Sequence, residues 1–247
     1  MKKLLKTLII LAVLVAGGLT ALGFGLRSTI QEQVLNGLSN LSRSPQGKPY
    51  AASADQVEFS PFTREIFIRG LALRGEQANG PETWLASEIS FRLPLRMLLA
   101  YTPLRPMVLK DVGMMPVAEN IVLRNLSTRS PDFRASVQRE EINELRCQSE
   151  LVGRFLDGAP IDALAATYLM GADRAHSFFL SVNMPGKDGL AQLTIKESLV
   201  QGWEGASIAL MRVDDVQSRL NGQESMRMGS FEASGVTLPE LGLVHRL

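Results

Sequence analysis

The sequence predicts a mostly β domain of the α+β class: an antiparallel, β-hairpin-rich sheet with short helices, preceded by one N-terminal transmembrane helix and an amphipathic stalk helix. Three observations predict it. An uncharged apolar run lies near the N-terminus, short alternating apolar stretches separated by Gly, Pro, Asn and Asp fill most of the remainder, and one β phrase recurs at a fixed offset.

The 20 residues from Thr7 to Leu26 carry no charge. At ~1.5 Å per residue they form a helix of about 30 Å, the thickness of the hydrocarbon core of a bilayer. Lys2, Lys3 and Lys6 precede it, which places the N-terminus in the cytoplasm and the rest of the chain outside. A cleaved signal peptide is the alternative, since Ala21-Leu22-Gly23 is an acceptable small-x-small site; the apolar run continues past it through Phe24 and Leu26. Gly17, Ala21 and Gly25 fall four apart, a spacing that lets two such helices approach closely and that is also common in spanning helices generally. The expected division is an anchor over residues 1–27, a stalk and linker over 28–53, and a β-rich domain over 54–247.

In the stalk, Ile30, Val34, Leu38 and Leu41 recur at helical spacing, and "SRSPQGKPYAAS" ends the helix. The domain then opens with "VEFSPFTREIFIRGLALRG", where Ile66 and Ile68 alternate before the phase slips to Leu71 and Leu73. A slip turns an apolar face outward unless the strand bends there, and Gly70 sits at the slip. Ile66, Arg69, Leu71 and Arg74 recur as Ile121, Arg124, Leu126 and Arg129, which makes Asn125 the counterpart of Gly70. Gly and Asn are the residues that most easily take positive φ, so Gly70 and Asn125 are the expected structural kinks.

Ile89, Phe91 and Leu93 alternate next; Pro94 is placed to open a short helix through Ala100, and Met107 to Val112 reads as a further strand. "DFRASVQREEINELR" extends the second hairpin or forms a short helix. Asp157-Gly158 marks a turn, and Pro160 opens a helix that Gly171 ends. The remainder returns to β, in four stretches beginning at "SFFLSVNM".

Composition excludes several functions. The chain has 26 basic residues, three of them the leading lysines, against 25 acidic ones, so no basic field exists to hold nucleic acid. Cys147 is the one cysteine: it forms no internal disulfide or cysteine zinc site, and is expected to be buried or to bridge two chains. His176 and His245 belong to no motif, and GxSxG, HExxH, Walker and GxGxxG patterns are missing. Asp214-Asp215 and Glu140-Glu141 point to opposite faces of a strand and so do not form cation sites. Arg69, Arg74, Arg124 and Arg129 read as solvated strand positions or as a ledge for an anionic lipid or polysaccharide. The expectation is a protein without catalytic, cofactor or metal sites.

The order of a lysine-led anchor, "VEFSPFTREIFIRGLAL", "ETWLASEISFRLPLRMLLAYTPLRPMVLKDV" and further hairpins resembles the N-terminal region of the AsmA-like family of bacterial envelope proteins, across roughly Ala54 to Val112. A weaker echo lies in Leu193 to Val216 and in "GSFEASGVTLPEL". The resemblance implies an inner-membrane anchor with the bulk of the chain in the periplasm, a role in cell-envelope and outer-membrane biogenesis, and handling of phospholipid on an apolar β surface. A groove joining two membranes takes about forty strands at ~4.8 Å each, whereas about ten or twelve fit here, so this would be a short member. The other function class is a structural or interaction subunit of an envelope or secretion complex, with other envelope proteins as partners and no ligand.

Overall fold

The computed structural model describes residues 24–41, 51–77, 80–110, 113–159, 161, 166–186 and 189–237. The protein is mostly β, built on one large antiparallel sheet. Its strands are β1 (Ala51–Ser53), β2 (Gln56–Ser60), β3 (Glu65–Gln77), β4 (Gly80–Arg92), β5 (Met114–Arg129), β6 (Arg134–Gln148), β7 (Met170–Gly186), β8 (Gly189–Glu204), β9 (Ser207–Leu220) and β10 (Gln223–Thr237). From β3 to β10 each strand pairs with its neighbours in sequence, while β1 and β2 both lie along β3 at one edge. The helices are α1 (Arg27–Leu41), α2 (Leu95–Ala100), α3 (Arg105–Leu109) and α4 (Ser149–Leu156), and Thr167–Leu169 forms a 3-10 turn.

Helix α1 is helical as expected but does not stand off as a stalk. Its apolar stripe has to be covered, and the sheet covers it. Ile30 and Val34 are buried in the same core as Phe59, Ile66 and Ile68. The Gln31 side-chain amide donates to the Val57 carbonyl at 2.7 Å, and Gly37 lies so close to the Phe155 ring of α4 that a Cβ there would collide with it. The sheet also begins earlier than the expected boundary at 54, because β1 already pairs Ala51 with Arg74 of β3.

A second correction concerns Met107–Val112, expected as a strand. Residues 105–109 are helix α3, with Pro106 in its first turn. Proline has no N–H for a ladder but suits the first turn of a helix. Side chains hold this helix in place: Arg96 donates to the Val108 carbonyl at 2.9 Å through Nη2, and Arg105 reaches the Gly153 carbonyl at 2.7 Å and Asp157 at 2.9 Å. Upstream, Pro94 caps α2, which buries Met97, Leu98 and Ala100. "RASVQREEINELR" is strand β6. Most of the helix expected near 160–171 lies outside the described residues; its described end is the 3-10 turn, and β7 starts at Met170. The expected transmembrane segment lies outside them too, apart from its last residues, and no described helix is long and apolar enough to cross a membrane.

The helices pack against β1, β2, β5 and β6, and the core they share with the sheet extends no further along the chain than Met170. The strands beyond are organised by another feature, two rows of residues in the left-handed backbone region. Gly70, Asn125, Phe179 and Asp215, at φ +61, +49, +53 and +53, lie on β3, β5, β7 and β9. The register sets Asn125 and Phe179 on either side of Gln138, and Phe179 and Asp215 on either side of Lys196, so they form one line across the sheet. Glu144 of β6, Gly202 of β8 and Gly235 of β10, at φ +46, +60 and +63, form a second line through Asp173 and Ala209. Asn120, at φ +52, continues it on β5. A left-handed residue interrupts the ladder and bends the strand, so an aligned row creases the whole sheet.

Candidate functional site

The creases have a chemical consequence. Each flips the alternation of side chains, so residues on one face recur at alternating intervals of two and three. On β8 these are Leu193, Ile195, Ser198, Val200 and Trp203; on β9 their partners are Ser218, Val216, Val213, Met211 and Ile208; on β10 follow Met226, Met228, Phe231, Ala233 and Val236. Toward the other edge the same face carries Leu180 and Val182 on β7, Val137 and Ile142 on β6, Leu123 on β5, and Ile66, Ile68, Leu71 and Leu73 on β3. One face is thus largely apolar, with Glu140, Ser177, Ser198 and Ser218 as polar members. The opposite face holds Arg69, Arg124, Arg139, Arg174, Arg212 and Arg227 among serines, threonines and carboxylates, together with Phe67, Leu85, Val122, Phe178, Leu199 and Leu210.

The helical core covers the apolar face at its β1–β6 end. Beyond it, Ile208 and Val216 are buried although the helical core does not reach their strand. Met226 and Phe231 at the far edge are exposed. An amphipathic sheet whose apolar face runs on past the helices that cover one end offers a surface for apolar ligands or partners.

One row of this face is polar in its middle. From Ile68, Ile89 and Leu123 the register runs to Glu140, Ser177 and Ser198, then to Val213 and Phe231. Burial pushes the Glu140 carboxyl above its usual pKa, since an apolar surround disfavours the ionised form. Its neighbour Glu141 faces the polar side and pairs with Arg139.

The residues singled out in the sequence distribute as follows. Gly70 and Asn125 lie in the same crease, where the Asn125 amide donates to Ser87 Oγ at 3.0 Å and Ser87 Oγ donates to the Arg124 carbonyl at 3.0 Å. Gly25 is helical and exposed, while Gly17 and Ala21 lie outside the described residues. Arg69, Arg74, Arg124 and Arg129 all face the polar side but stay spread out. Arg124 pairs with Glu88 at 3.3 Å, Arg69 donates to Gln56 at 3.2 Å, and Arg129 lines a cavity of about 710 Å³ at the hairpin ends with Arg134, Pro131, Phe133 and Leu190.

His176 and Ser177 point to opposite faces, so they cannot act as a base and nucleophile; the His176 Nε2 instead meets Glu197 at 2.5 Å beside Arg174. Asp214 pairs with Arg212 at 2.9 Å, and no group of three metal-binding side chains occurs among the described residues. Cys147 is buried opposite Met115, its thiol pushed up to about 12 by burial. The apolar face itself was foreshadowed in the sequence only by the slip at Gly70; the repeated two-and-three spacing of apolar residues was the signal that could have revealed it on every strand.

No family model matches this chain, and no curated protein matches it.

Proposed function

We propose that this is a membrane-anchored periplasmic protein of the AsmA-like kind, which handles lipid on the apolar face of its sheet and serves cell-envelope and outer-membrane biogenesis without catalysing a reaction. The observation that carries the reading is the amphipathic sheet: apolar side chains continue over β7 to β10, past the end of the helical core. Acyl chains and apolar strand faces associate through burial of nonpolar area, and ordinary β alternation with two creases lays most of that area out on one face of the sheet. The uncharged segment at Thr7–Leu26 fits an inner-membrane anchor, and the near-balanced charge argues against nucleic acid as a partner.

The test is site-specific photo-crosslinking in living bacteria, with a photoreactive amino acid at Ile195 on the apolar face or at Thr194 on the polar face. A phospholipid adduct at 195 and none at 194 is the expected result. Equal labelling at both positions, or none at either, would defeat the reading.

A further inference from the structure

The two edges of the sheet are unlike. One is formed by β1 and β2, three and five residues long, with α1 lying against both. Short strands beneath a helix are protected against pairing with another chain. The other edge is β10, fifteen residues long, which pairs with β9 alone among the described strands. It contains neither Lys nor Pro, the residues that usually block an edge, and its Met226 and Phe231 are 50% and 44% exposed.

We propose that β10 pairs antiparallel with β10 of a second copy of this chain, in the register that sets Arg227 opposite the partner's Glu232. The side chains of β10 select this register. Met226, Met228, Phe231 and Ala233 lie on the apolar face, and Arg227, Ser230 and Glu232 on the polar face. Paired residues must share a face. With Arg227 opposite Glu232, Met228 meets Phe231 and Met226 meets Ala233, like against like, and two-fold symmetry makes every pair twice. A slip of one residue sets apolar against polar side chains. A slip of two sets Arg227 opposite Ser230 or Ser234 and loses both ion pairs.

The charges are available for this. Arg227 holds Asp215 only at 3.7 Å, and Glu232 makes no ion pair among the described residues. The two-fold axis stands perpendicular to the sheet, so the apolar faces of both copies come to the same side. Because the β1–β2 edge is closed, pairing stops at two copies and does not run on as a filament. This inference concerns assembly and stands whether or not the apolar face carries lipid.

The experiment uses the full chain in its native membrane, carrying R227C and E232C together. Within one strand these positions lie about 16 Å apart at ~3.3 Å per residue, too far to bridge, so a disulfide can form only between copies. Mild oxidation is expected to give a covalent dimer of the 27.0 kDa chain, whereas R227C alone and E232C alone, whose two copies lie about 16 Å apart in this register, are expected to stay uncrosslinked. The buried Cys147 does not compete. In the second arm, R227E or E232R alone is expected to weaken dimerisation of the otherwise native chain at least tenfold, and R227E with E232R to restore it. A monomer under all conditions, equal crosslinking through R227C or E232C alone, a crosslinked product of other mass, or a charge swap that fails to rescue would each overturn the proposal.

Discussion

Gly202 on β8 lies directly opposite Ala209 on β9, and a Cβ at Gly202 would come within 2.8 Å of the Ala209 Cβ. With φ at +60, the position also demands a backbone conformation that side chains oppose. At this point of the crease the backbone would aim a side chain straight into its cross-strand neighbour. Gly202→Val is expected to cost about 2–4 kcal/mol, combining left-handed strain with overpacking. The measurement is the urea midpoint of the full chain, and an unchanged midpoint would mean that the crease is not fixed here.

Phe179 is the opposite case, a bulky residue held at φ +53 with its side chain 57% exposed. Glycine takes this conformation without steric cost, so Phe179→Gly should stabilise the fold by about 1 kcal/mol. A lower melting temperature in this variant would show that the ring contributes more to folding than its exposure implies.

Glu140 makes stability depend on pH. Its folded pKa is raised by burial, so the folded chain holds the proton more tightly than the unfolded chain does. Stability is then greatest below the ordinary carboxylate pKa, falls as pH rises from there toward the raised value, and levels off above it. Glu140→Leu removes that slope and should raise the melting temperature at neutral pH by about 2–4 °C, the shift that ~1 kcal/mol produces in a domain of this size. Parallel pH profiles for the variant and the parent would refute this role.

Cys147 should be chemically silent in the folded chain. A thiol pushed up to about 12 presents almost no thiolate near neutrality, and the side chain is buried as well. Reaction with a water-soluble disulfide reagent at pH 8 is expected only on unfolding. Stoichiometric labelling without denaturant would show that the strand end around Cys147 opens readily.

Local alternation and turn residues made the hairpins legible in the sequence, and the phase slip around Gly70 made one bend legible. Three other regions were not. The stretch at 105–109 carries strand-like apolar residues, but Pro106 and the grip of Arg96 and Arg105 make it a helix. The stripe on α1 gave its helicity but not its destination, since a face made for a partner helix and one made for a sheet look alike. The left-handed residues at Phe179 and Glu144 are of types that do not favour positive φ, and their place in the row is seen only once the strands are aligned. The polar interruption at Glu140, Ser177 and Ser198 was illegible for a related reason: those residues lie far apart in the chain and meet only through the register.

The first crease places a left-handed residue on every second strand from β3 to β9. The smallest piece that can be inserted or deleted without disturbing this alternation is therefore a pair of strands, about 10 Å of sheet. Removing a single strand would set two like strands side by side, invert every following side chain and bury arginines where methionines belong. The length of such a protein is in this sense quantised: it can change by whole hairpins while each remaining strand keeps its neighbours, its bend and its wet and dry sides.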